Sequence, residues 1–303
     1  MTNYVLRRVL RAIVLVVLVT GVSFVLFTVL PDANAAQLGA GGNANPTGFF
    51  DYLNQVLFHL NLGYSYHYHQ SVTSLIFDRL PATLSLIVGA AALSLALGIP
   101  VGVVAATRRG QRFDLVAMRI ALGVVSTPVF WLGLISLYLF ASDIGKIPIF
   151  AGAGSYAGLT ANPGQWLKSL ILPWLVLAAT GTAIYSRLLR IQMLEVMGND
   201  YIRAARARGV SEQRAIWRHG AGAAIPSIVP LLGLGTGGLL GAAVLTEVAF
   251  RIDGIGLLSY TAIRDADFPT VQGTVLFVAM LIVLVNLIVD VGYACLDPRV
   301  RSA

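Results

Sequence analysis

Six long apolar runs alternate with short polar connections along this chain. They cover about Ala12 to Leu30, Pro81 to Ala105, Ala117 to Phe140, Leu170 to Tyr185, Ala224 to Phe250 and Gln272 to Cys295. Each approaches or reaches the ~20 residues that an α-helix needs to cross a bilayer. The pattern predicts an all-α polytopic membrane protein with six transmembrane helices. The fourth run is the weakest, because Pro173 and Trp174 interrupt its start. The fifth holds five glycines, at 233, 235, 237, 238 and 241, and has Pro226 and Pro230 near its start, so irregularity is expected there. Broken backbone is tolerated in a membrane where neighbouring protein satisfies it.

Polar connections fill in the rest. The segment Pro31 to Leu80 is the largest solvent-side region and opens with the loop-like "ANAAQLGAGGNANPTG". Within it "FFDYLNQVLFHLNLG" spaces Phe49, Phe50, Leu53, Val56, Leu57 and Leu60 as a helix would. It is too short and polar to span, and reads as a helix lying at the membrane face. Ala141 to Lys168 reads as loop with a short helix near Pro163.

Composition agrees with a lipid solvent. Hydrophobic residues make up 57% of the 303 positions and charged residues 12%, against about 25% charged in a soluble domain. The net charge of +7 matters less than its placement. Sixteen of the 21 basic residues fall in the N-terminus, the connections after the second and fourth runs, and the C-terminus, which holds Arg299 and Arg301. The others are Arg79, Lys146, Lys168, Arg251 and Arg264. The positive-inside rule therefore predicts both termini in the cytoplasm. The N-terminal run, after Arg7, Arg8 and Arg11, is too long for a signal-peptide core of ~7–15 residues and reads as a retained first helix. With the lone Cys295, an internal disulfide and a Cys-rich metal site are excluded.

Few residues suggest chemistry. His67 and His69 would point the same way on a strand, with His59 as a conceivable third, but two ligands do not make a metal site. Glu247 and Asp290 lie in or near apolar runs, where an ionisable group is costly. Asn286 shares a helix face with Asp290. Gly237 and Gly241 form a G-x-x-x-G pair suited to close helix packing or to lining a pathway. No phosphate-binding loop, H-E-x-x-H or G-x-S-x-G motif occurs. The chain itself is therefore expected to bind no cofactor and perform no catalysis. Uphill transport would need an ATPase partner, or an ion gradient acting through groups such as Glu247 or Asp290.

The basic segment "YIRAARARGVSEQRAIWRHG", Tyr201 to Gly220, is the most informative. Tyr201 to Arg208 can form about two helical turns. Gly209 would break them, and Ser211 could cap a helix running through Ile216 and Trp217. Two basic helices suggest a DNA-binding helix-turn-helix, but the segment is tied to spans at both ends and has no core of its own.

In order, these features resemble a permease subunit of the binding-protein-dependent ABC importers, and more narrowly the first permease of the dipeptide, oligopeptide and nickel branch. Arg203, Ala204, Ala205 and Gly209 match the family's Glu-Ala-Ala…Gly motif with arginine in place of the acid. Tyr201, Ala205, Arg206, Ala207 and Gly209 match the peptide branch's "Y-x-x-x-A-R-A-x-G". The distal "AAIP" ends at Pro226. "DRLPATLSL", "LGVVSTPVFWLGL", "EVAFRIDGIGLL", "RDADFPTVQG" and "NLIVDVGYACLDPRVR" follow in the family's order, except that Asp253 stands where a proline is usual.

The resemblance implies a type I importer permease fold, one domain over residues 1–303, with 31–80 extracytoplasmic and 186–223 the cytoplasmic coupling loop. It implies residence in the bacterial cytoplasmic membrane. It also implies a second homologous permease, two ATP-binding subunits supplying ATP and Mg²⁺, and an extracytoplasmic binding protein delivering dipeptides or short oligopeptides. Residues 201, 203–209, 211 and 226 would form the joint to the ATPase. A nickel chelate as cargo, or a gradient-driven secondary transporter, are the alternatives.

Overall fold

A computed structural model describes residues 2–25 and 49–296. Helix α1 (Thr2–Phe24) is followed by α2 (Phe49–His59) and a two-stranded antiparallel hairpin, β1 (Tyr64–Ser65) and β2 (Gln70–Ser71). Then come α3 (Val72–Thr107), α4 (Arg112–Val125), α5 (Val129–Phe140) and α6 (Pro163–Met197). The basic segment holds α7 (Asp200–Ala207) and α8 (Glu212–Arg214), which continues as a π-helix (Ala215–Ala221) into α9 (Gly222–Ala224). A 3₁₀ turn (Ile225–Ile228) leads to α10 (Val229–Phe250), α11 (Ile255–Arg264) and α12 (Phe268–Leu296). Among the described residues, α3, α6 and α12 as far as Val289 are long and apolar enough to cross a membrane, and α4 with α5 makes a fourth if the bent pair is one crossing.

The pair α3–α6 is the frame of the bundle. Ser71 caps α3 by accepting from the Ser74 amide, and Asn162 caps α6 by accepting from the Gln165 amide at 3.0 Å. Proline at the first position of α6 has no amide to leave unpaired. Both helices continue through internal prolines, Pro81 and Pro100 in α3 and Pro173 in α6. The two run parallel. Trp174 Nε1 donates to the Ser85 carbonyl at 3.0 Å, and Ser94 Oγ to the Ala178 carbonyl at 3.2 Å. Further along, a Cβ added to Gly102 would lie 2.7 Å from the Ser186 carbonyl oxygen and 3.0 Å from Leu189 Cβ. Small residues thus let the backbones approach and let hydroxyls bond across.

Several expectations change here. The third apolar run is not one straight helix: α4 and α5 meet at 108°. Pro128 disfavours a helical Thr127, while Ser126 and Thr127 hydroxyls bond back to the Leu122 and Gly123 carbonyls. The weak fourth run becomes an unbroken 35-residue helix. The helix expected near Pro163 is its first turn and not a separate piece. His67 and His69 lie in the hairpin turn, with His69 at φ +53°, so they do not alternate along a strand. Ser211 stands at the start of α8, but its side chain makes no capping bond there.

Three apolar clusters fill the bundle. One joins α3, α5, α6 and α10 through Leu86, Leu137, Leu177 and Phe250. A second joins α2, the hairpin, α3, α11 and α12 through Val56, Val72, Leu75, Ile255 and Leu276. The third joins α3 and α6 to the chain after the basic segment, through Val103, Leu189, Met193, Ala221 and Ile228.

Candidate functional site

Two residues, Gly198 and Asn199, separate the end of α6 from α7, which opens the basic segment. In α7 Ile202 is fully buried, whereas Tyr201, Ala204 and Arg208 are exposed. These three lie at i, i+3 and i+7, so they share a face. Arg203 and Ala207 are exposed beside them, and Ala205 is half-buried. The helix stops for a defined reason. The Val210 amide donates to the Ala205 carbonyl at 3.2 Å and the Gly209 amide to the Arg206 carbonyl at 2.9 Å. This is a Schellman closure, which needs a left-handed residue after the cap. Gly209 supplies it at φ +82°.

The arginines differ in what they do. Arg206 forks onto Glu212, Nε to Oε2 at 2.9 Å and Nη2 to Oε1 at 2.7 Å. That pair closes the loop around Gly209 and holds Arg206 within the segment. Arg203 reaches Asp200 at 3.3 Å on an exposed surface, a pair of little energetic weight. The π-helix then packs on the end of α6, where Gly220 meets Met193 and Met197. Ser211 and Pro226 are exposed, the latter in the 3₁₀ turn. The result is a short helix that exposes Tyr201, Ala204 and Arg208 and is anchored by buried Ile202 to the core behind it.

The other candidates are scattered. Glu247 is fully buried. It accepts from Thr83 Oγ1 at 2.7 Å and from the Gly256 and Leu257 amides at 2.7 and 3.1 Å. It therefore caps the start of α11 and fastens it to α3. Asp253 pairs with Arg79 at 2.9 Å, which gives the acid at this position a structural partner. Gly237 faces Ile282 of α12, but a Cβ on Gly241 would meet nothing within 4 Å. The two glycines therefore do not form one tight seam inside the chain. Asn286 is half-buried, and the Asp290 side chain lies outside the described residues. His59 Nδ1 lies 3.3 Å from the Asn54 carbonyl, and His67 Nε2 3.8 Å from Asp265.

Two polar arrangements were not singled out in the sequence. In the first, the Ser65 and Thr270 hydroxyls both bond Asp267 Oδ2, joining the hairpin to the start of α12. In the second, Arg190 Nε and Nη2 fork onto Asp114, which also accepts from the Gly110 amide at 2.9 Å. This clamp holds the turn before α4 against α6, seven residues ahead of its end at Met197. The only advance signal was an isolated acid amid Arg108, Arg109, Arg112 and Arg119. Asp114→Ala removes the acceptor shared by Arg190 and the partly exposed Gly110 amide, at about 1.5–3 kcal/mol for hydrogen bonds to a charged group. The expected result is a lower thermal unfolding midpoint of the purified protein, with Asp114→Asn less damaging because it keeps an acceptor for Gly110.

Comparison with known proteins identifies the class. The model of the family described as "Binding-protein-dependent transport system inner membrane component" matches residues 98–302, and the chain belongs to that family. Within it the chain is similar to a putative peptide transport system permease protein of Brucella abortus (strain 2308), 38% identical over 99% of both chains. It is also similar to the dipeptide transport system permease protein DppB of Alkalihalophilus pseudofirmus, 34% identical over 99% of this chain and 100% of that protein. DppB of Escherichia coli K12 is 36% identical over 89% of this chain and 86% of its own length. The chain is a multi-pass membrane permease of the peptide importer branch.

Proposed function

We propose that this chain forms half of the translocation pathway of an ATP-driven importer for dipeptides or short oligopeptides. The observation that carries the proposal is the exposed α7 helix, closed by Gly209, in a chain similar along 99% of its length to a permease named for peptide transport. A homologous permease supplies the other half of the pathway. Two ATP-binding subunits hold ATP and Mg²⁺, and an extracytoplasmic binding protein delivers the peptide. The face of Tyr201, Ala204 and Arg208 docks in a groove of one ATPase, and Gly209, Ser211 and Pro226 fix its surroundings. Closure of the ATPases then moves α6 through that joint and alternates the access of the pathway.

The topology is six spans in one domain over residues 1–303: α1, α3, the bent α4–α5 pair, α6, α10 and α12. The parallel course of α3 and α6 supports it. Two parallel helices enter from the same side, so the chain between them crosses back once. The distribution of arginine supports a topology with both termini in the cytoplasm, residues 31–80 outside and 186–223 inside. Residence in the bacterial cytoplasmic membrane follows.

Two measurements test this. Purification of the chain from its native membrane is expected to bring two ATP-binding chains and a second permease, and labelled dipeptide uptake into liposomes is expected to need all of them with the binding protein. Uptake by this chain alone would overturn the reading. In a Cys295→Ser background, Asn43→Cys is expected to react with an impermeant thiol reagent added outside. Failure to react in sealed cells, with reaction after permeabilisation, would reverse the topology.

A further inference from the structure

A cavity of about 590 Å³ lies where α4 meets α3 and α6, within the ~300–1,000 Å³ range of small-molecule sites. Its wall is aliphatic and aromatic, including Val101, Phe113, Val116, Ile120 and Ala183. Val116 and Ile120 are more than half exposed, so it opens to the side of α4. Its polar groups are few. Ser186 Oγ already donates to the Ala183 carbonyl. Thr182 Oγ1 is buried without a partner, and its customary acceptor one helical turn back, the Ala178 carbonyl, is engaged by Ser94.

One charge stands at the cavity's end. Arg112, the first residue of α4, lines it and is exposed. The nearest acid in sequence, Asp114, does not neutralise it, since its two oxygens are held by Arg190 and the Gly110 amide. Arg108 and Arg109 in the preceding turn are exposed as well. An apolar cleft with a cationic mouth, in a protein that spans a membrane, matches an amphiphile with an anionic head. It does not match a peptide. A peptide's ammonium would find no free carboxylate there, and its amides almost no partners, both costly in an apolar site.

We propose that this cavity holds an acyl chain of an anionic phospholipid, with the phosphate bound by Arg112. Basic pockets between membrane helices suit such headgroups, and guanidinium suits phosphate. The lipid wedges α4 against the α3–α6 pair.

Native mass spectrometry of the purified importer complex, titrated with phosphatidylglycerol and with phosphatidylcholine of the same chains, tests this. The wild-type protein is expected to retain phosphatidylglycerol about fivefold better, the preference that one arginine supplies for a net-anionic headgroup over one whose phosphate is offset by choline. Arg112→Gln, an exposed substitution, removes that preference while the complex stays assembled. Ala117→Phe, in the cavity wall, fills the space and abolishes retention of both lipids, with assembly checked by size-exclusion chromatography. Equal retention of the two lipids by the wild type, an unchanged preference in Arg112→Gln, or lipid retention unaffected in assembled Ala117→Phe would each overturn the proposal. So would a bound peptide displaced by Ala117→Phe, which would make the cavity part of the transport pathway.

Discussion

Gly209→Val is expected to cut peptide uptake by tenfold or more while leaving the assembled complex able to hydrolyse ATP. The reason is local. At φ +82° a β-branched residue is strained by about 1–3 kcal/mol, and 1.4 kcal/mol is already a factor of ten in an equilibrium. The helix can relieve the strain only by giving up the two amide bonds of its closure. Val210 and the Arg206–Glu212 fork then shift, and with them the angle at which Tyr201, Ala204 and Arg208 are presented. Nothing lies within 4 Å of a Cβ at this position, so the effect is conformational and not a clash. That separates it from ordinary bulk. Gly209→Asn, which tolerates the left-handed region, should recover most of the uptake. Paired measurements of labelled dipeptide uptake and ATPase rate in proteoliposomes decide the matter. Wild-type uptake in Gly209→Val would remove the closure from the mechanism.

Glu247→Ala carries the largest expected cost in stability. It strands the Thr83 hydroxyl and the amides of Gly256 and Leu257, three donors that now converge on one carboxylate. Each buried donor left unmatched costs about 1–3 kcal/mol. The neighbourhood cannot collapse to help, because a Cβ on Gly256 would sit 2.6 Å from Val244 Cα. The expected outcome is loss of folded protein after detergent extraction, read by size-exclusion chromatography, together with a lowered unfolding midpoint in whatever survives. Glu247→Gln keeps one acceptor oxygen and should fall between. An alanine variant as stable as the parent would mean that water or a rearranged turn can replace the carboxylate.

These two residues also mark what the sequence could and could not say. Gly209 was legible because its role is local: a glycine after two basic helical turns is a stop signal by itself. Apolar runs were legible because each carries its own length and composition, and among the described residues three helices, or four with the bent pair, are long and apolar enough to cross a membrane. Glu247 stood out as an acid at an awkward depth, but its partners come from 164 residues away and from the next helix's first turn. Proximity of that kind has no trace in spacing. Asp114 and Arg190 pair across 76 residues and were hidden among many arginines. The prolines misled in both directions. Pro173 promised a break that packing against α3 overrides, whereas the Ser-Thr-Pro at 126–128 gives a 108° bend inside a run that reads as continuous.

The length of α6 has a mechanical consequence. Its 35 residues make a rod of about 52 Å at 1.5 Å per residue, and the apolar core of a bilayer takes only ~30 Å of it. The basic segment is fastened to one end of this rod, and α3 lies along its flank through Ser94, Gly102 and Trp174. The pair behaves as a lever. A tilt of roughly 5° about one end sweeps the other by about 4–5 Å, simple geometry for a rod of that length. Under the proposed docking of an ATPase on α7, a small rotation there would become a displacement comparable to the width of a side chain at the far face. No break interrupts the helix, which runs as one element through its internal proline, Pro173.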